Sequence, residues 1–208
     1  MFIAFCVVLR CTLNGQVSSL KGALLIKRSQ EEMTQTLDCI SHSSAQTQRL
    51  GMRLGELLRG GELILLDGQL GTGKTTFTQG LAQGLDITEN INSPTFTLLK
   101  EYKGQSRSGN ASNAFTPNKP ALYHFDLYRL DNPDEIVDLG FEDYFFGDGV
   151  SVIEWAEKAG SFWPEEHLNV RLKIMSETKR GLLFIAAGDY YCELLQQFQK
   201  LTYVTTGS

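Results

Sequence analysis

LILLDGQLGTGKTTFTQGLAQGL, residues 63–85, joins a short apolar run to a glycine-rich loop and then to a helix-forming segment. Residues 68–75 of this stretch match the pattern GxxxxGK[ST] at every fixed position. The apolar run is typical of a strand buried in a parallel sheet, and strand–loop–helix is the order in which this pattern cradles phosphate. The other interpretation is a glycine-rich turn that binds nothing. The stretch therefore predicts an α/β fold of the P-loop NTPase type.

The chemistry of the loop follows from its residue types. Glycines let backbone N–H groups turn inward around a phosphate, and the helix after the loop adds the positive end of its dipole. Lys74 can reach the β- and γ-phosphates, and the Thr75 hydroxyl can ligate Mg²⁺. The loop thus predicts ATP and Mg²⁺ as cofactors. The predicted nucleotide-binding residues here are Gly71, Thr72, Gly73, Lys74, Thr75 and Thr76.

Strand and helix patterns alternate around this loop. Residues 43–61 predict an amphipathic helix that Ser43 or Ser44 can cap and that Gly60 and Gly61 end. Strands are predicted at residues 36–43, 62–68, 95–102, 121–130, 149–155, 168–175 and 180–187, and further helices at 74–85, 131–147 and 190–201. This order predicts a mixed sheet with a parallel centre, antiparallel flanking strands and helices on both faces.

Two of the apolar runs end in an acid. A P-loop protein needs a carboxylate at the end of a neighbouring buried strand, either to hold the Mg²⁺ shell or to orient water. Asp126 ends LYHFD, and Glu154 ends VSVIE. Each acid could instead cap a turn or pair with a basic neighbour such as Arg129 or Lys158. The pattern alone does not assign the metal ligand and the water-orienting acid.

Three features near these runs each have two interpretations. SPTF, residues 93–96, offers a hydroxyl that senses a γ-phosphate, or it is a proline turn before a strand. His124 shares a strand face with Asp126 and is either a general base or a satisfied structural histidine. Trp155 is either a packing residue or an aromatic anchor for a partner.

Charge and cysteine content narrow the class of protein. The chain has 19 basic and 24 acidic residues, and its formal net charge of -5 disfavours autonomous binding of nucleic acid. The four cysteines lack any CxxC spacing. Neither a metal site built on cysteine nor a disulfide framework is expected, and a cytoplasmic location is the simpler expectation.

Two segments lie outside the α/β pattern. The apolar N-terminus, MFIAFCVVL, is too short to span a bilayer and lacks the basic n-region of a secretory signal. We expect residues 1–32 to be a disordered extension or a stretch upstream of the native start at Met33; a membrane-associating tail and a capping strand are the other interpretations. Residues 33–208 are expected to form a single domain. Residues 104–119 lack apolar periodicity and predict a flexible insertion in a hairpin.

Four segments, taken in order, resemble the TsaE family: GQLGTGKTTFTQGLAQGL, SPTFTLLKEY, YHFDLYRLDNPDEIVDLGFEDYF and VIEWAEKAG. TsaE proteins are small bacterial P-loop ATPases that are needed for threonylcarbamoyladenosine modification of tRNA at position 37. The resemblance runs from about Leu37 to about Ala187, and HFDLYRL and IEW are more specific than the loop itself.

The resemblance implies roles for individual residues. The implied catalytic residues are Lys74, Thr95 and Asp126, with Thr95 as a switch-type threonine, and the implied Mg²⁺ ligands are Thr75 and Glu154. Ser44 corresponds to a region that approaches the nucleotide, although relatives often have a carboxylate at this position. Arg180, in the late hairpin turn, corresponds to a second such region.

The resemblance also implies a reaction and partners. It implies that the chain hydrolyses ATP slowly with Mg²⁺ and acts on the TsaB–TsaD pair. TsaD transfers the threonylcarbamoyl group to adenosine, and the chain reaches tRNA only through that complex. The alternative from another class is a small-molecule kinase, which needs a mobile lid whose arginines close on the phosphates. The best lid candidate, residues 104–119, contains a single arginine, Arg107.

Overall fold

The computed structural model describes residues 34–104, 119–132, 135–138, 140–160 and 162–204. Within these ranges the strands are β1 Thr34–Ser41, β2 Leu63–Asp67, β3 Leu99–Tyr102, β4 Leu122–Asp126, β5 Val150–Glu154, β6 His167–Ile174 and β7 Arg180–Ala187. The helices are α1 Ser44–Gly55, α2 Lys74–Gly84, α3 Glu135–Asp138, α4 Glu142–Phe145 and α5 Asp189–Val204, with a 3₁₀ helix at Ala156–Ala159.

The strands of the described residues form one mixed sheet in the order β1-β7-β6-β2-β5-β4-β3. Strands β6, β2, β5 and β4 run parallel to their neighbours within this set. Strands β1, β7 and β3 pair antiparallel and flank them. Strand β2 lies near the middle, which explains its unbroken apolar run, since a central parallel strand is buried on both faces. The predicted mixed sheet is confirmed.

Helices cover both faces of the sheet, as predicted, but unequally. Alternate residues of β2 point to opposite faces. Ile64 and Leu66 belong to a core that α1, α2 and α5 cover. Leu63 and Leu65 belong to a second core that is closed by short elements, namely α3, α4 and the 3₁₀ helix. The long helices therefore lie on the face that carries the glycine-rich loop and its helix.

Helices α1 and α2 approach each other closely enough for their backbones to touch. A Cβ added to any of four glycines would overlap a carbonyl oxygen of the other helix. The contacts are Gly51 with Phe77 at 2.2 Å, Gly55 with Leu81 at 2.3 Å, Gly80 with Gln48 at 1.9 Å and Gly84 with Met52 at 2.2 Å. The glycines are spaced four apart on both helices, so they line one face of each. Any larger residue would push the helices apart.

The first predicted helix ends earlier than its sequence pattern indicates. Ser43 is its N-cap, because the Ser43 side chain accepts a hydrogen bond from the backbone of Gln46. The helix ends at Gly55 and not at Gly60–Gly61. The reason lies in Glu62, whose buried carboxylate accepts the backbone N–H groups of residues 59 and 60 and so folds the chain away from the helix axis.

Two predicted strands are shorter than expected. The predicted strand 95–102 begins only at Leu99, because the backbone N–H of Leu98 donates to the carbonyl of Pro94 and closes a turn. Leu98 itself has a φ of 61°, which a strand residue does not adopt. The predicted strand 121–130 ends at Asp126, whose carboxylate accepts the N–H of Tyr128 and bends the chain.

The predicted helix 131–147 is wrong as a single element, because the chain forms α3 and α4 instead. Gly140 lies between them with a φ of 65°, which interrupts a right-handed helix. The predicted extension 1–32 and almost all of the predicted insertion 104–119 fall outside the described residues. In the part of the chain that is described, no helix has both the length and the apolar character needed to cross a membrane.

Replacing Gly80 with alanine tests the α1–α2 contact. Helix propensity alone predicts that Gly80→Ala stabilises α2 by about 1 kcal/mol. We expect the opposite, a free energy of unfolding lowered by about 1–3 kcal/mol, because the new methyl group meets the backbone of α1. Urea unfolding measures the change. Gln83→Ala, at an exposed position of the same helix, is the control and should stay within about 0.5 kcal/mol of the parent chain.

Candidate functional site

The predicted site residues meet at the edge of the sheet where the parallel strands β2, β4 and β5 end. Asp126 and Glu154 are directly paired at the ends of β4 and β5. Leu66, near the end of β2, pairs with Glu154 on its other side. Crevices outside the carboxyl ends of parallel strands are the usual ligand sites of α/β sheets. The topology therefore brings the glycine-rich loop and both acids together.

The backbone of the loop has the conformation of a phosphate cradle. Gly71 and Gly73 have φ angles of 78° and 102°, which favour glycine. A Cβ on Gly71 would meet nothing within 4 Å, so this side of the loop is open. Gly73 caps α2 without any side-chain hydrogen bond. The N–H groups of the first turn of α2 have no intrahelical acceptor, which suits an anion.

Thr72 and Thr76, two threonines of the predicted nucleotide set, differ in their surroundings. Thr72 is buried, and its hydroxyl donates to the carbonyl of Gln69 at 2.8 Å. The backbone N–H of Thr72 donates to the same carbonyl at 3.3 Å, so this residue braces the loop from within. Thr76 is half-buried in the first turn of α2, and its Cβ lies 4.0 Å from the position of a Cβ on Gly73.

Lys74 is buried and folded back on its own loop. Its ammonium donates to the carbonyls of Gly68 at 2.5 Å and Gln69 at 3.2 Å. The ring of Trp155 covers it, with the centroid 3.6 Å from Nζ. Burial lowers the pKa of the lysine below its ordinary value, and nearby carboxylates, Glu154 foremost, oppose that shift. The two loop carbonyls, the indole ring and Glu154 thus stabilise the Lys74 ammonium against the cost of its burial.

Thr75 and Glu154 offer a pair of oxygen ligands. The Thr75 hydroxyl donates to Glu154 Oε2 at 3.1 Å, and Glu154 is almost fully buried. Hydroxyl and carboxylate oxygens suit Mg²⁺, which usually takes one or two carboxylates and fills its shell with water and substrate phosphates. Among the described residues no group of three or more His, Cys, Asp and Glu side chains could hold a metal by itself. Thr75 and Glu154 could supply two oxygen ligands to a metal ion that a phosphate chain also binds.

Asp126 has different partners from Glu154. Its Oδ2 accepts hydrogen bonds from the hydroxyls of Ser93 and of Thr95, the latter at 2.7 Å. Its Oδ1 accepts the N–H of Tyr128 at 2.9 Å. Asp126 therefore ties the SPTF segment to the end of β4, while Glu154 faces the loop. Glu154, with Thr75, is thus the acid placed where it could hold a metal, and Asp126 is the acid that holds Thr95.

The two remaining predicted residues flank the loop. Arg180 is the first residue of β7, and its guanidinium donates to the carbonyl of Gly71 at 3.2 Å and to three carbonyls of its own hairpin. Ser44 is exposed at the first position of α1. Thr47, three residues on, has its methyl group 3.7 Å from the position of a Cβ on Gly73. The start of α1 thus lies beside the loop.

Three features of the site have no direct signal in the sequence. Trp155 adopts a left-handed conformation, with a φ of 61°, and this turn lays its ring over Lys74. Ser93 shares Asp126 with Thr95. The basic residues considered as partners for the acids are engaged elsewhere. Arg129 stacks on Phe96, and Lys158 donates to the carbonyls of Tyr128 and Leu130.

The part of the chain that forms this site matches a family of known proteins. Residues 41–182 match the family model described as threonylcarbamoyl adenosine biosynthesis protein TsaE. This chain belongs to the TsaE family. The match includes every predicted site residue, from Ser44 to Arg180.

Individual TsaE proteins are similar over most of their length. The chain is 37% identical over 160 residues to the Bacillus subtilis tRNA threonylcarbamoyladenosine biosynthesis protein TsaE, which covers 76% of this chain and 92% of the relative. The chain is 39% identical to the TsaE protein of Treponema pallidum, and the match covers 69% of this chain and 96% of that relative. The crystal structure of Bacillus subtilis YdiB superposes with a TM-score of 0.66 at 30% identity, covering 82% of this chain and 98% of YdiB.

Replacing Asp126 tests its hold on the SPTF segment. Asp126→Asn replaces a charged hydrogen-bond acceptor with a neutral one. The change should lower the free energy that holds the SPTF segment to β4 by about 1.5 kcal/mol or more. We expect backbone amides of residues 97 and 98 to exchange hydrogen roughly tenfold faster or more, as measured by mass spectrometry or NMR. Glu154→Gln is the control and should leave these amides unchanged, because Glu154 contacts Thr75 instead. Equal exchange in both variants would contradict the assignment.

Proposed function

We propose that this chain binds and slowly hydrolyses Mg-ATP in the tRNA threonylcarbamoyladenosine modification machinery, where it acts on the TsaB–TsaD complex in the cytoplasm. The observation that carries the proposal is the meeting of a complete P-loop with the Thr75–Glu154 pair in a member of the TsaE family. The loop supplies the phosphate contacts, and the pair supplies two oxygens for the metal.

Lys74 and the loop backbone bind the phosphates in this proposal. The ammonium of Lys74 now has two loop carbonyls as acceptors, and phosphate oxygens would replace them as stronger, charged acceptors. Arg180 adds a second cation beside Gly71. When bound, Mg²⁺ neutralises charge on the phosphate chain, and Thr75 and Glu154 are the side chains that would hold it.

Asp126 and Thr95 act together in hydrolysis. Three donors already occupy the Asp126 oxygens, which suits a carboxylate that holds a loop more than one that abstracts a proton. Asp126 would therefore act by placing the Thr95 hydroxyl at the phosphate end of the site. A carboxylate engaged in this way is a poor base for activating water, which fits slow turnover by the isolated chain.

The dependence on partners has support from charge and exposure. A net charge of -5 disfavours direct binding of this chain to tRNA, so TsaB and TsaD would supply the contacts with tRNA. Leu70 in the phosphate loop and Phe96 in the SPTF segment are 74% and 82% exposed. The two segments that are proposed to contact the nucleotide thus each expose a large apolar side chain, to which a partner could bind.

Lys74→Ala tests the phosphate assignment. Loss of one charged hydrogen-bonding group from the site should weaken ATP binding by roughly tenfold to a hundredfold, equivalent to about 1.5–3 kcal/mol. Isothermal titration calorimetry gives the affinity, and phosphate release gives the turnover. Lys200→Ala, on the exposed face of α5, is the control and should behave as the parent chain. Normal ATP affinity in Lys74→Ala would mean that the loop does not bind the nucleotide.

Reconstituted tRNA modification tests the purpose of hydrolysis. A tRNA transcript is incubated with ATP, threonine, bicarbonate and the other components of the machinery, with and without this chain, and modified adenosine is measured by mass spectrometry. We expect repeated turnover only when the chain is present, and ATP hydrolysis that rises when TsaB and TsaD are added. A chain that neither stimulates modification nor co-purifies with the pair would support the small-molecule kinase instead.

A further inference from the structure

The buried imidazole of His124 contacts the acid that faces the glycine-rich loop. His124 is fully buried in β4, and its Nε2 lies 2.9 Å from Glu154 Oε1. Leu122 and Val152, its neighbours along and across the strands, belong to the core beneath α1 and α2. The imidazole therefore lies on the face of the sheet that carries the loop, below the site and away from solvent.

The two oxygens of Glu154 have different tasks. Oε1 is bonded to His124, and Oε2 accepts the hydroxyl of Thr75 at 3.1 Å. The pairing of β4 with β5 fixes where the imidazole stands relative to the carboxylate, since His124 pairs with Val152 and Asp126 with Glu154. Rotation of the carboxylate would break the bond to His124. The histidine thus holds Oε2 toward Thr75.

The hydrogen bonding of His124 is one-sided. Within the described part of the chain, Nδ1 is buried and has no hydrogen-bond partner. A proton on Nε2 donates to Glu154 and leaves Nδ1 as an unpaired acceptor, which costs less than a buried N–H with no acceptor. Within the described residues, Glu154 is therefore the hydrogen-bond partner that satisfies the buried imidazole. Its position is explained by the carboxylate.

We propose that His124 is a positioning residue that orients Glu154 for Mg²⁺ and so sets the affinity of the site for the metal. The inference rests on the proposed function, since it assumes that Thr75 and Glu154 hold the metal. Hydrogen bonds behind a ligating carboxylate fix its orientation, and their loss typically lowers metal affinity by about 10- to 100-fold. His124 makes no contact with the nucleotide in this role.

The test separates metal binding from nucleotide binding. His124→Leu removes the donor and keeps an apolar side chain, whereas His124→Gln keeps an amide N–H at nearly the reach of Nε2. The Mg²⁺ concentration for half-maximal ATP binding is measured by calorimetry, and ADP affinity is measured in EDTA. Thermal unfolding confirms that each variant is folded. His167→Leu is the matched control, since His167 lies at the start of β6, at the end of the parallel strands opposite to the site, and contacts the carbonyl of Pro164.

We expect His124→Leu to raise the half-maximal Mg²⁺ concentration at least about tenfold, with ADP affinity in EDTA within about twofold of the parent chain. His124→Gln should recover most of the difference, and His167→Leu should show none. If His124→Leu does not fold, His124→Asn replaces it and should show the same rise, because its shorter amide reaches the Nδ1 position and not Glu154.

Two results would overturn the inference while leaving the proposed function intact. One is an unchanged Mg²⁺ requirement in the folded variants that lack the donor. The other is an equal loss of affinity with and without Mg²⁺, which would indicate a purely structural role. A parent chain that binds ATP equally well in Mg²⁺ and in EDTA would instead overturn the metal assignment of Thr75 and Glu154, and the inference with it.

Discussion

Helices α1 and α2 touch backbone to backbone, because four glycines leave no side chain between them. The contact matters for the site because α2 begins at Lys74, the loop lysine, and α1 begins beside Gly73. A methyl group at Gly80 or Gly51 would meet a carbonyl oxygen at about 2 Å and force the two helix starts apart. The position of the loop on the sheet therefore depends on a contact in which the absence of side chains is the essential feature.

The paired acids at the ends of β4 and β5 show how neighbouring strands separate two tasks. Asp126 and Glu154 are adjacent in the sheet, yet they bind different groups. Asp126 is occupied by hydroxyls of the SPTF segment, and Glu154 lies between Thr75 and His124. One acid thus links the sheet to the SPTF segment, and the other links it to the glycine-rich loop.

Elements with strong local signals were predictable from the sequence. The β2–loop–α2 unit, the Ser43 cap and the β6–β7 pair lie where the pattern places them, since burial on both faces and capping chemistry are local properties. Boundaries that distant or single residues set were not predictable. The strand expected at 95–102 loses its first half to a turn, and the helix expected at 131–147 breaks at Gly140.

Local sequence patterns establish which chemical groups the site contains: a glycine-rich loop of the phosphate-binding pattern, a lysine, a threonine and two acids. The folded sheet sets which acid meets which partner, because strand order and register bring Glu154 to Thr75 and leave Asp126 to Thr95. The ring of Trp155 covers Lys74, which lies 81 positions earlier in the chain. His124 contacts Glu154, which lies 30 positions later. Contacts of that range arise from the folded sheet, and no local pattern encodes them.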